Sequence, residues 1–227
     1  MVDISVVIPV FNEEESLPLL YDRLNKAMKF FGPGSEIIFV DDASVDGSHL
    51  ILSSIASNDN RVKILRNLVN VGQVEAILIG AGASKNDILV TMDADLQSDP
   101  ADIPRLVERL NEGFDMVCGW RYPRKDPWHK VWKSKIANHV QRCITGLDLH
   151  DLGCALRAYK RDVFKNITLS DRYAVPFMPI VVSKYTDRIT EIKVRHYHRS
   201  FGKSKYNFWT TSFRTIAGYI KLAGGKR

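Results

Sequence analysis

Two aspartates, Asp93 and Asp95, follow directly after the apolar run at residues 88–92. Such a run is typical of a buried strand, so both carboxylates are expected at the carboxyl edge of a sheet, where open α/β proteins bind ligands. Two carboxylates this close are difficult to ionise together unless a cation lies between them, and Mg²⁺ and Mn²⁺ prefer such oxygen ligands. The pattern therefore indicates a divalent metal ion that holds a diphosphate. The alternative is a pair of solvated aspartates in a surface turn.

The elements that would position these acids alternate between strand and helix. Strands are predicted at residues 4–10, 36–40, 62–65, 87–92 and 115–120, and helices at 17–31, 49–56, 72–83 and 100–111. This alternation predicts an α/β fold with a mostly parallel central sheet that is flanked by helices. Polar residues recur where the predicted strands end, at Asn12, Glu13, Asp41, Asp42, Asp93, Asp95 and Arg121. Several such residues at one edge favour a ligand site over the caps and turns that a single aspartate usually forms.

Composition limits the classes of protein to which this chain can belong. Its 227 residues, 45% of them hydrophobic, are enough for one substantial core. No apolar run approaches the ~20 residues of a membrane-spanning helix, and no signal-peptide pattern follows Met1. Cys118, Cys143 and Cys154 lack metal-ligand spacing and cannot all pair, which predicts reduced thiols in the cytoplasm. The net charge of +6 indicates an anionic partner, which could be nucleic acid, anionic lipid or a phosphorylated substrate.

One glycine-rich segment imitates a dinucleotide-binding motif. Gly80 and Gly82 begin the pattern, but Lys85 stands where the third glycine belongs, and the segment precedes a predicted strand instead of following one. A P-loop motif is also absent from the sequence. A dinucleotide-dependent dehydrogenase and a P-loop nucleotidase are therefore disfavoured.

Six short segments together resemble a known family. They are residues 7–13 (VIPVFNE), 40–47 (VDDASVDG), 92–97 (MDADLQ), 119–122 (GWRY), 156–159 (LRAY) and 199–206 (RSFGKSKY). In this order they resemble the family 2 glycosyltransferases of GT-A fold, and among those the polyprenyl-phosphate sugar transferases such as the dolichyl-phosphate mannose synthases. The resemblance covers nearly the whole chain and implies a catalytic domain at residues 1–205. Residues 206–227 are predicted to form a C-terminal amphipathic extension, because a helix there would carry an apolar stripe on one face; the stripe could contact a membrane or a partner, or pack on the core of the domain itself.

The resemblance also implies roles for individual residues. It implies nucleotide contacts by Pro9, Phe11, Glu13, Val40, Asp42, Asp93, Arg199 and Lys205. It assigns Asp93, Asp95 and Gln97 to a divalent ion, Mg²⁺ or Mn²⁺, with Asp95 as the foremost direct ligand. Arg121, Lys130 and Ser134 are assigned to the phosphate of the acceptor, with lysine at 130 where arginine is usual. The catalytic residues that we predict are Asp95, Arg121 and Asp151, and Asp151 is a candidate for sugar binding, for base chemistry or for a turn.

The acceptor side of the chain is basic. Residues 121–142 contain seven lysines and arginines against one acid, with Trp128 and Trp132 between them, a composition that suits an anionic membrane interface. The resemblance implies inverting transfer of a hexose, with mannose favoured, from GDP-mannose or UDP-glucose to a dolichyl or undecaprenyl phosphate. We therefore predict a cytoplasmic enzyme, peripheral at the cytoplasmic face of a membrane and working alone or with a small membrane subunit.

Two other functions remain open on the sequence. A family 2 glycosyltransferase could act on a saccharide or lipid-linked oligosaccharide, as in the synthesis of cell-surface polysaccharide, and would then need a carboxylate base such as Asp151. A nucleic-acid-binding module would use the basic charge, but the acids at the strand ends would repel a polyanion. We therefore expect no nucleic-acid partner.

Overall fold

The computed structural model describes residues 1–125, 146–165, 167, 178–199 and 201. Lys130, Ser134, Lys205, the predicted extension at 206–227 and most of the basic segment lie outside these residues. The strands are β1 (Ile4–Val10), β2 (Glu36–Asp41), β3 (Val62–Arg66), β4 (Ile88–Thr91), β5 (Met116–Arg121), β6 (Arg157–Lys160) and β7 (Ile189–Val194). The helices are α1 (Leu17–Met28), α2 (Ser48–Asn58), α3 (Gln73–Ala83), α4 (Ile103–Asn111), α5 (Asp162–Lys165) and α6 (Met178–Val182), and a 3₁₀ turn (Pro100–Asp102) precedes α4.

The strands form one sheet in the order β3-β2-β1-β4-β6-β5-β7. Within the described ranges, β6 is the only strand that runs antiparallel to its neighbours. The predicted α/β fold with a mostly parallel sheet is therefore confirmed. The sequence patterns did not predict β6 or β7, because β6 is four residues long with a charged residue at each end, and β7 contains Glu191 and Lys193, so neither shows an apolar run.

Helices cover both faces of the sheet, because successive residues of each strand point to opposite sides. On one face, Ile8 and Phe39 pack with Leu20 of α1, Leu52 of α2 and Leu106 of α4. The other face packs against α3 and α6. The strands are consequently buried on both sides, as their near-continuous apolar sequences require.

The glycine-rich segment at residues 80–82 lies inside α3. A Cβ atom at Gly80 would overlap Val7 Cγ1 and approach Val40 Cγ2 to 3.1 Å. Gly80 therefore allows α3 to pack closely on β1 and β2. Its role is in helix packing, which agrees with the rejection of a dinucleotide motif.

Among the described residues, no helix is both long enough and apolar enough to cross a lipid bilayer.

Candidate functional site

A cleft of about 340 Å³ opens where β1, β2 and β4 end. It is lined by Pro9, Val10, Phe11, Glu13, Asp42, Asn70, Gly72, Gln73, Asp93, Ala94, Asp95 and Arg199. Strands β1, β2 and β4 run parallel, so the residues that follow them lie at the same edge of the sheet. The structure thus brings together most of the described residues that were predicted to bind the nucleotide and the metal.

The backbone turns sharply in the loops at this edge. Asn12, Ala43 and Leu96 follow β1, β2 and β4, and each has a positive φ, of 53°, 60° and 62° respectively. Non-glycine residues seldom adopt this conformation, and it concentrates at functional sites. Hydrogen bonds hold the turns together, because Asn12 N donates to Ser44 Oγ at 3.0 Å and Val45 N donates to Asn12 Oδ1 at 2.8 Å.

Asp42 organises the loop between β3 and α3. Its Oδ1 accepts from Asn67 Nδ2 at 2.8 Å and from Val71 N at 2.9 Å, and its Oδ2 accepts from Gly72 N at 2.8 Å. Asn70 Nδ2 also donates to the Asp42 carbonyl oxygen at 3.3 Å. Asp42 therefore lines the cleft and also fixes the loop that brings Asn70 and Gly72 to it.

Asp93 and Asp95 form an acid pair that the protein neutralises only in part. Burial and the neighbouring Asp95 raise the pKa of Asp93 to about 7, although the positive charges of Arg157 and Arg121 oppose this rise. Burial also raises the pKa of Asp95, against the hydrogen bond from Gln97 N and the charge of Arg199. The site would therefore gain from an added cation, which would stabilise both carboxylates in their charged form.

The carboxylates still accept hydrogen bonds that orient them. Gln73, the first residue of α3, donates from Nε2 to Asp93 Oδ1, and Gln97 N donates to Asp95 Oδ1 at 3.1 Å. Each carboxylate thus accepts a hydrogen bond at its Oδ1 atom. Such partners set the direction in which a ligating carboxylate points.

Arg199 crosses the cleft. Its Nη2 lies 2.8 Å from Glu13 Oε1 and its Nη1 lies 3.6 Å from Asp95 Oδ2. Its side chain is 21% exposed, and its Nε donates to the Phe201 carbonyl oxygen at 2.9 Å. A guanidinium in this position can move to an anionic ligand and bind two of its oxygens at once.

Arg121 and Asp151 form a bidentate ion pair. Arg121 Nε and Nη2 donate to the two Asp151 oxygens at 2.6 and 2.8 Å. Asp151 is 1% exposed, and burial acts to raise its pKa, but the Arg121 guanidinium outweighs burial and holds the pKa below its ordinary value. The charge of Arg121 also acts to lower the pKa of Asp93 and of Asp95, although the ion pair does not line the cleft.

Two predicted residues are placed differently from the rest. Val40 is fully buried in the core on the α3 side of the sheet. Gln97 is not among the residues that line the cleft, and its backbone bonds to Asp95 and to Tyr197 N. Lys130, Ser134 and Lys205 lie outside the described residues.

The sequence analysis missed three residues that act on the acids or their loop, namely Asn70, Gln73 and Arg157. Asn70 and Gln73 lie on either side of Gly72 at the start of a predicted helix, but nothing in the local pattern shows that Asn70 contacts Asp42 or that Gln73 contacts Asp93. Arg157 pairs with Thr91 in the sheet register and is 6% exposed, so its charge is buried behind the acid pair. Its place in the segment LRAY was the only available signal.

The donor set fits a hard divalent cation. Within the described part of the chain, no three His, Cys, Asp or Glu side chains form a ready metal cluster. An ion at Asp93 and Asp95 would therefore take its other ligands from substrate oxygens and water. Mg²⁺ and similar ions are commonly bound in this way at diphosphates.

Comparison with known proteins identifies the family. The model of "Glycosyl transferase family 2" matches residues 5–168. The undecaprenyl-phosphate 4-deoxy-4-formamido-L-arabinose transferase of Pseudomonas paraeruginosa is 42% identical over 206 residues, which are 90% of this chain and 60% of that protein. This chain thus spans 60% of the length of that relative.

Solved structures share the fold at low sequence identity. The crystal structure of glucosyl-3-phosphoglycerate synthase from Mycobacterium tuberculosis with Mn²⁺, uridine diphosphate and phosphoglyceric acid superposes with a TM-score of 0.79. It is 20% identical, and the match covers 99% of this chain and 80% of that one. Another structure of the M. tuberculosis enzyme gives a TM-score of 0.75 at 22% identity, with 99% and 82% covered. The chain therefore has a GT-A-like fold and belongs to family 2 of the glycosyl transferases.

Proposed function

We propose that this protein transfers a sugar from a nucleotide sugar to a polyprenyl phosphate, with inversion at the anomeric carbon. The observation that carries the proposal is the acid pair at Asp93 and Asp95, which lies in a cleft with Phe11 and Glu13 and close to Arg121. A donor diphosphate at the acids would lie at the edge of the sheet at which Arg121 ends β5.

The donor end of the site has groups for each part of a nucleotide sugar. Phe11 offers an aromatic surface to a base, and Glu13 can accept hydrogen bonds from a base or a ribose hydroxyl. Asp93 and Asp95 would hold Mg²⁺ or Mn²⁺ on the diphosphate. The bound metal ion would supply positive charge that stabilises the leaving group. Arg199, which contacts Glu13 and Asp95, would turn to the same phosphates and leave the acids to the ion. Lys205 would add a second positive charge.

The acceptor end depends on Arg121. A phosphate monoester with a second pKa of ~6 is mostly dianionic near neutral pH, so it can attack without a strong protein base. Arg121 would then orient this nucleophile and reduce its repulsion from the diphosphate. Asp151 would act as a positioning residue, because its bidentate contact fixes the plane of the guanidinium. Lys130 and Ser134 would complete the contacts with the acceptor phosphate.

The sugar is the least constrained part of the proposal. The sequence resemblance favours a hexose, with mannose first, whereas the name of the P. paraeruginosa relative specifies a formamido pentose. Undecaprenyl phosphate is the acceptor in that name, and it is the acceptor that we propose first. Because this lipid lies in a bilayer, the enzyme would work at a membrane surface, on its cytoplasmic face, alone or with a small membrane subunit. In this scheme residues 1–205 form the catalytic domain and 206–227 contact the membrane or the partner.

The direct test is transfer of labelled sugar to a short-chain polyprenyl phosphate. GDP-mannose, UDP-glucose and a nucleotide-linked 4-deoxy-4-formamido-L-arabinose would each be supplied with Mg²⁺, with Mn²⁺ and with EDTA. Metal-dependent labelling of the lipid with one donor is the expected result. Metal-dependent nucleotide binding without any lipid labelling would overturn the polyprenyl acceptor.

Asp151→Asn separates this proposal from transfer to a saccharide hydroxyl, which needs a base. With a phosphate acceptor, we expect a raised KM for the acceptor, a kcat within about tenfold of wild type, and an unchanged acidic limb of the pH profile, because ionisation of the acceptor phosphate then sets that limb. A loss of kcat of about 10³-fold together with a loss of the acidic limb, where a carboxylate base becomes protonated, would instead favour a catalytic base and a saccharide acceptor.

A further inference from the structure

A compact group of aromatic and cationic side chains lies at the ends of β5 and β7. We call it the aromatic rim and define it as Trp120, Tyr122, His150 and Lys193. The Trp120 and His150 rings stack with centroids 4.1 Å apart and planes inclined by 13°, and the Tyr122 ring lies 5.3 Å from Trp120. Lys193 Nζ lies 5.1 Å from the Trp120 centroid and 4.5 Å from the Tyr122 centroid. The mutual contacts give the rim a defined shape.

The aromatic rim is open to solvent. Tyr122 is 55% exposed, the His150 side chain is 46% exposed, and Lys193 is also exposed. Within the described part of the chain, packing on the core therefore does not account for these aromatic groups. Aromatic residues grouped on a surface with cations mark a contact surface more often than scattered apolar residues do.

The charge of this surface is positive. Arg124 and Lys125 follow Tyr122 after a single proline, and Lys193 is part of the rim. Glu191 is a carboxylate that faces His150, and its side chain is 11% exposed and lies within hydrogen-bonding distance of that ring. A surface with exposed cations and a covered acid complements an anionic partner.

The position of the rim relates it to the acceptor end of the site. Trp120 and Tyr122 flank Arg121, and side chains alternate between the two faces of a strand. Arg121 therefore points to Asp151 on one side, while its neighbours form the rim on the other. A flat partner that contacts the rim would lie within a few residues of the group that we propose for the acceptor phosphate.

We propose that the aromatic rim is a docking surface for an anionic lipid bilayer, and this inference rests on the proposed polyprenyl-phosphate acceptor. Trp and Tyr rings prefer the headgroup level of a bilayer, where one part of the ring is apolar and the other is hydrated. Lysine and arginine near the same level bind the negative surface potential. Docking at the rim would hold the end of β5, which carries Arg121, next to the lipid headgroups.

The test compares two double variants of the full chain. Tyr122→Ser with Lys193→Glu removes one ring and reverses one charge in the rim. Phe30→Ser with Lys29→Glu makes the same changes just beyond α1, at the opposite edge of the sheet, where Phe30 is 67% exposed. Flotation with vesicles of phosphatidylcholine, alone or mixed with phosphatidylglycerol, measures binding, and thermal unfolding checks that each variant folds. Tyr122→Trp serves as the conservative replacement.

We expect the wild type to bind the anionic vesicles and to dissociate as salt is raised. The rim variant should bind them at least about tenfold more weakly, since each cation near the surface contributes on the order of 1 kcal/mol. The Phe30 and Lys29 variant should change binding less than about twofold, and Tyr122→Trp should retain it. Equal losses in the two double variants, or no loss in the rim variant, would overturn the proposal.

Transfer to a short-chain polyprenyl phosphate in solution is measured on the same variants. The rim variant should keep this activity and lose transfer to acceptor embedded in anionic vesicles. A wild type that binds vesicles through the rim but transfers no sugar in solution would overturn the proposed function and leave the docking surface intact. Vesicle binding that does not depend on the rim, together with normal transfer in solution, would overturn the docking surface and leave the proposed function intact.

Discussion

Two acids at opposite edges of the sheet, the buried Glu36 and the partly buried Asp93, differ in how far the protein compensates their charge. Glu36 starts β2 at the amino edge and is 1% exposed. It accepts hydrogen bonds from Ser5 Oγ at 2.6 Å and Lys85 N at 2.8 Å, and Lys63 Nζ lies 2.7 Å from its second oxygen. Burial acts to raise the pKa of Glu36, but these partners outweigh burial and lower it.

At the carboxyl edge, Asp93 has the opposite balance. Its pKa is raised to about 7 by burial and by Asp95, since Gln73, Arg157 and Arg121 compensate it only in part. The negative charge of Glu36 is thus compensated by partners that the fold holds in place. The charged form of the acid at the cleft is only partly compensated by the protein, so a bound cation would stabilise it.

Among the variants that distinguish the acids at the two edges of the sheet, Asp95→Ala should have the largest effect, which is on activity. Removing the proposed direct metal ligand should lower kcat/KM for sugar transfer by about 10³-fold, since charge stabilisation at the leaving diphosphate is lost. Steady-state kinetics with labelled donor gives the value. Asp87→Ala, at an exposed position of the amino edge, is the matched control and should keep activity. An active Asp95→Ala enzyme would show that the acid pair is not the metal site.

Glu36→Ala should damage stability and leave chemistry intact. Loss of the acid leaves the Ser5 hydroxyl and the Lys85 amide without their acceptor, whereas the half-exposed Lys63 amine is hydrated again, so the free energy of unfolding should fall by about 2 kcal/mol. Urea unfolding measures this change, and kcat per folded molecule should stay near wild type. A Glu36→Ala variant that is as stable as the wild type but has lost activity would contradict the assignment of Glu36 to stability alone.

The pH dependence of stability should differ in sign between the two acids. Without divalent metal, the unfolded chain releases the Asp93 proton near the ordinary value of 3.8 and the folded chain near 7. Between these values the folded state binds more protons, so the Asp93 contribution to the free energy of unfolding falls as pH rises. The lowered pKa of Glu36 has the opposite consequence, because its stabilisation is lost as pH falls through that pKa.

Urea unfolding in EDTA from about pH 4 to about pH 8 tests this sign. Asp93→Asn should remove the fall of stability with rising pH, and the difference from wild type should be greatest at the alkaline end. Adding Mg²⁺ or Mn²⁺ should stabilise the wild type more at the alkaline end than at the acidic end. Parallel pH curves for wild type and Asp93→Asn would contradict the raised pKa of Asp93.

Gln73→Ala should have the smallest effect. Its amide orients Asp93 from outside the metal site, so its loss should weaken metal affinity by about tenfold and leave the fold stable. Titration of metal in a nucleotide-binding assay gives the affinity. Gln73→Glu is a useful companion, because it removes the donor and adds a third acid. Unchanged metal affinity in Gln73→Ala would mean that Asp93 needs no orienting partner.

Patterns along the chain were sufficient for much of the fold. Strands β1 to β5 and helices α1 to α4 each lie within three residues of their predicted bounds, because their apolar periodicity reflects burial that recurs along the element. The strand-end residues were also expected at one edge, since parallel strands connected by helices must end there. The confirmed fold class follows from this alternation.

Tertiary structure decided what local pattern does not encode. The position of Arg157 behind Asp93, the contact of Gln73 with Asp93 and the bidentate pairing of Arg121 with Asp151 join residues that are 20 to 64 positions apart in sequence. A pKa depends on the sum of such contacts and on burial, so the sequence could place the acids but not their charge state. The chain by itself determined which residues reach the edge of the sheet. Only the fold determined which acids are neutralised there and which remain available to a ligand.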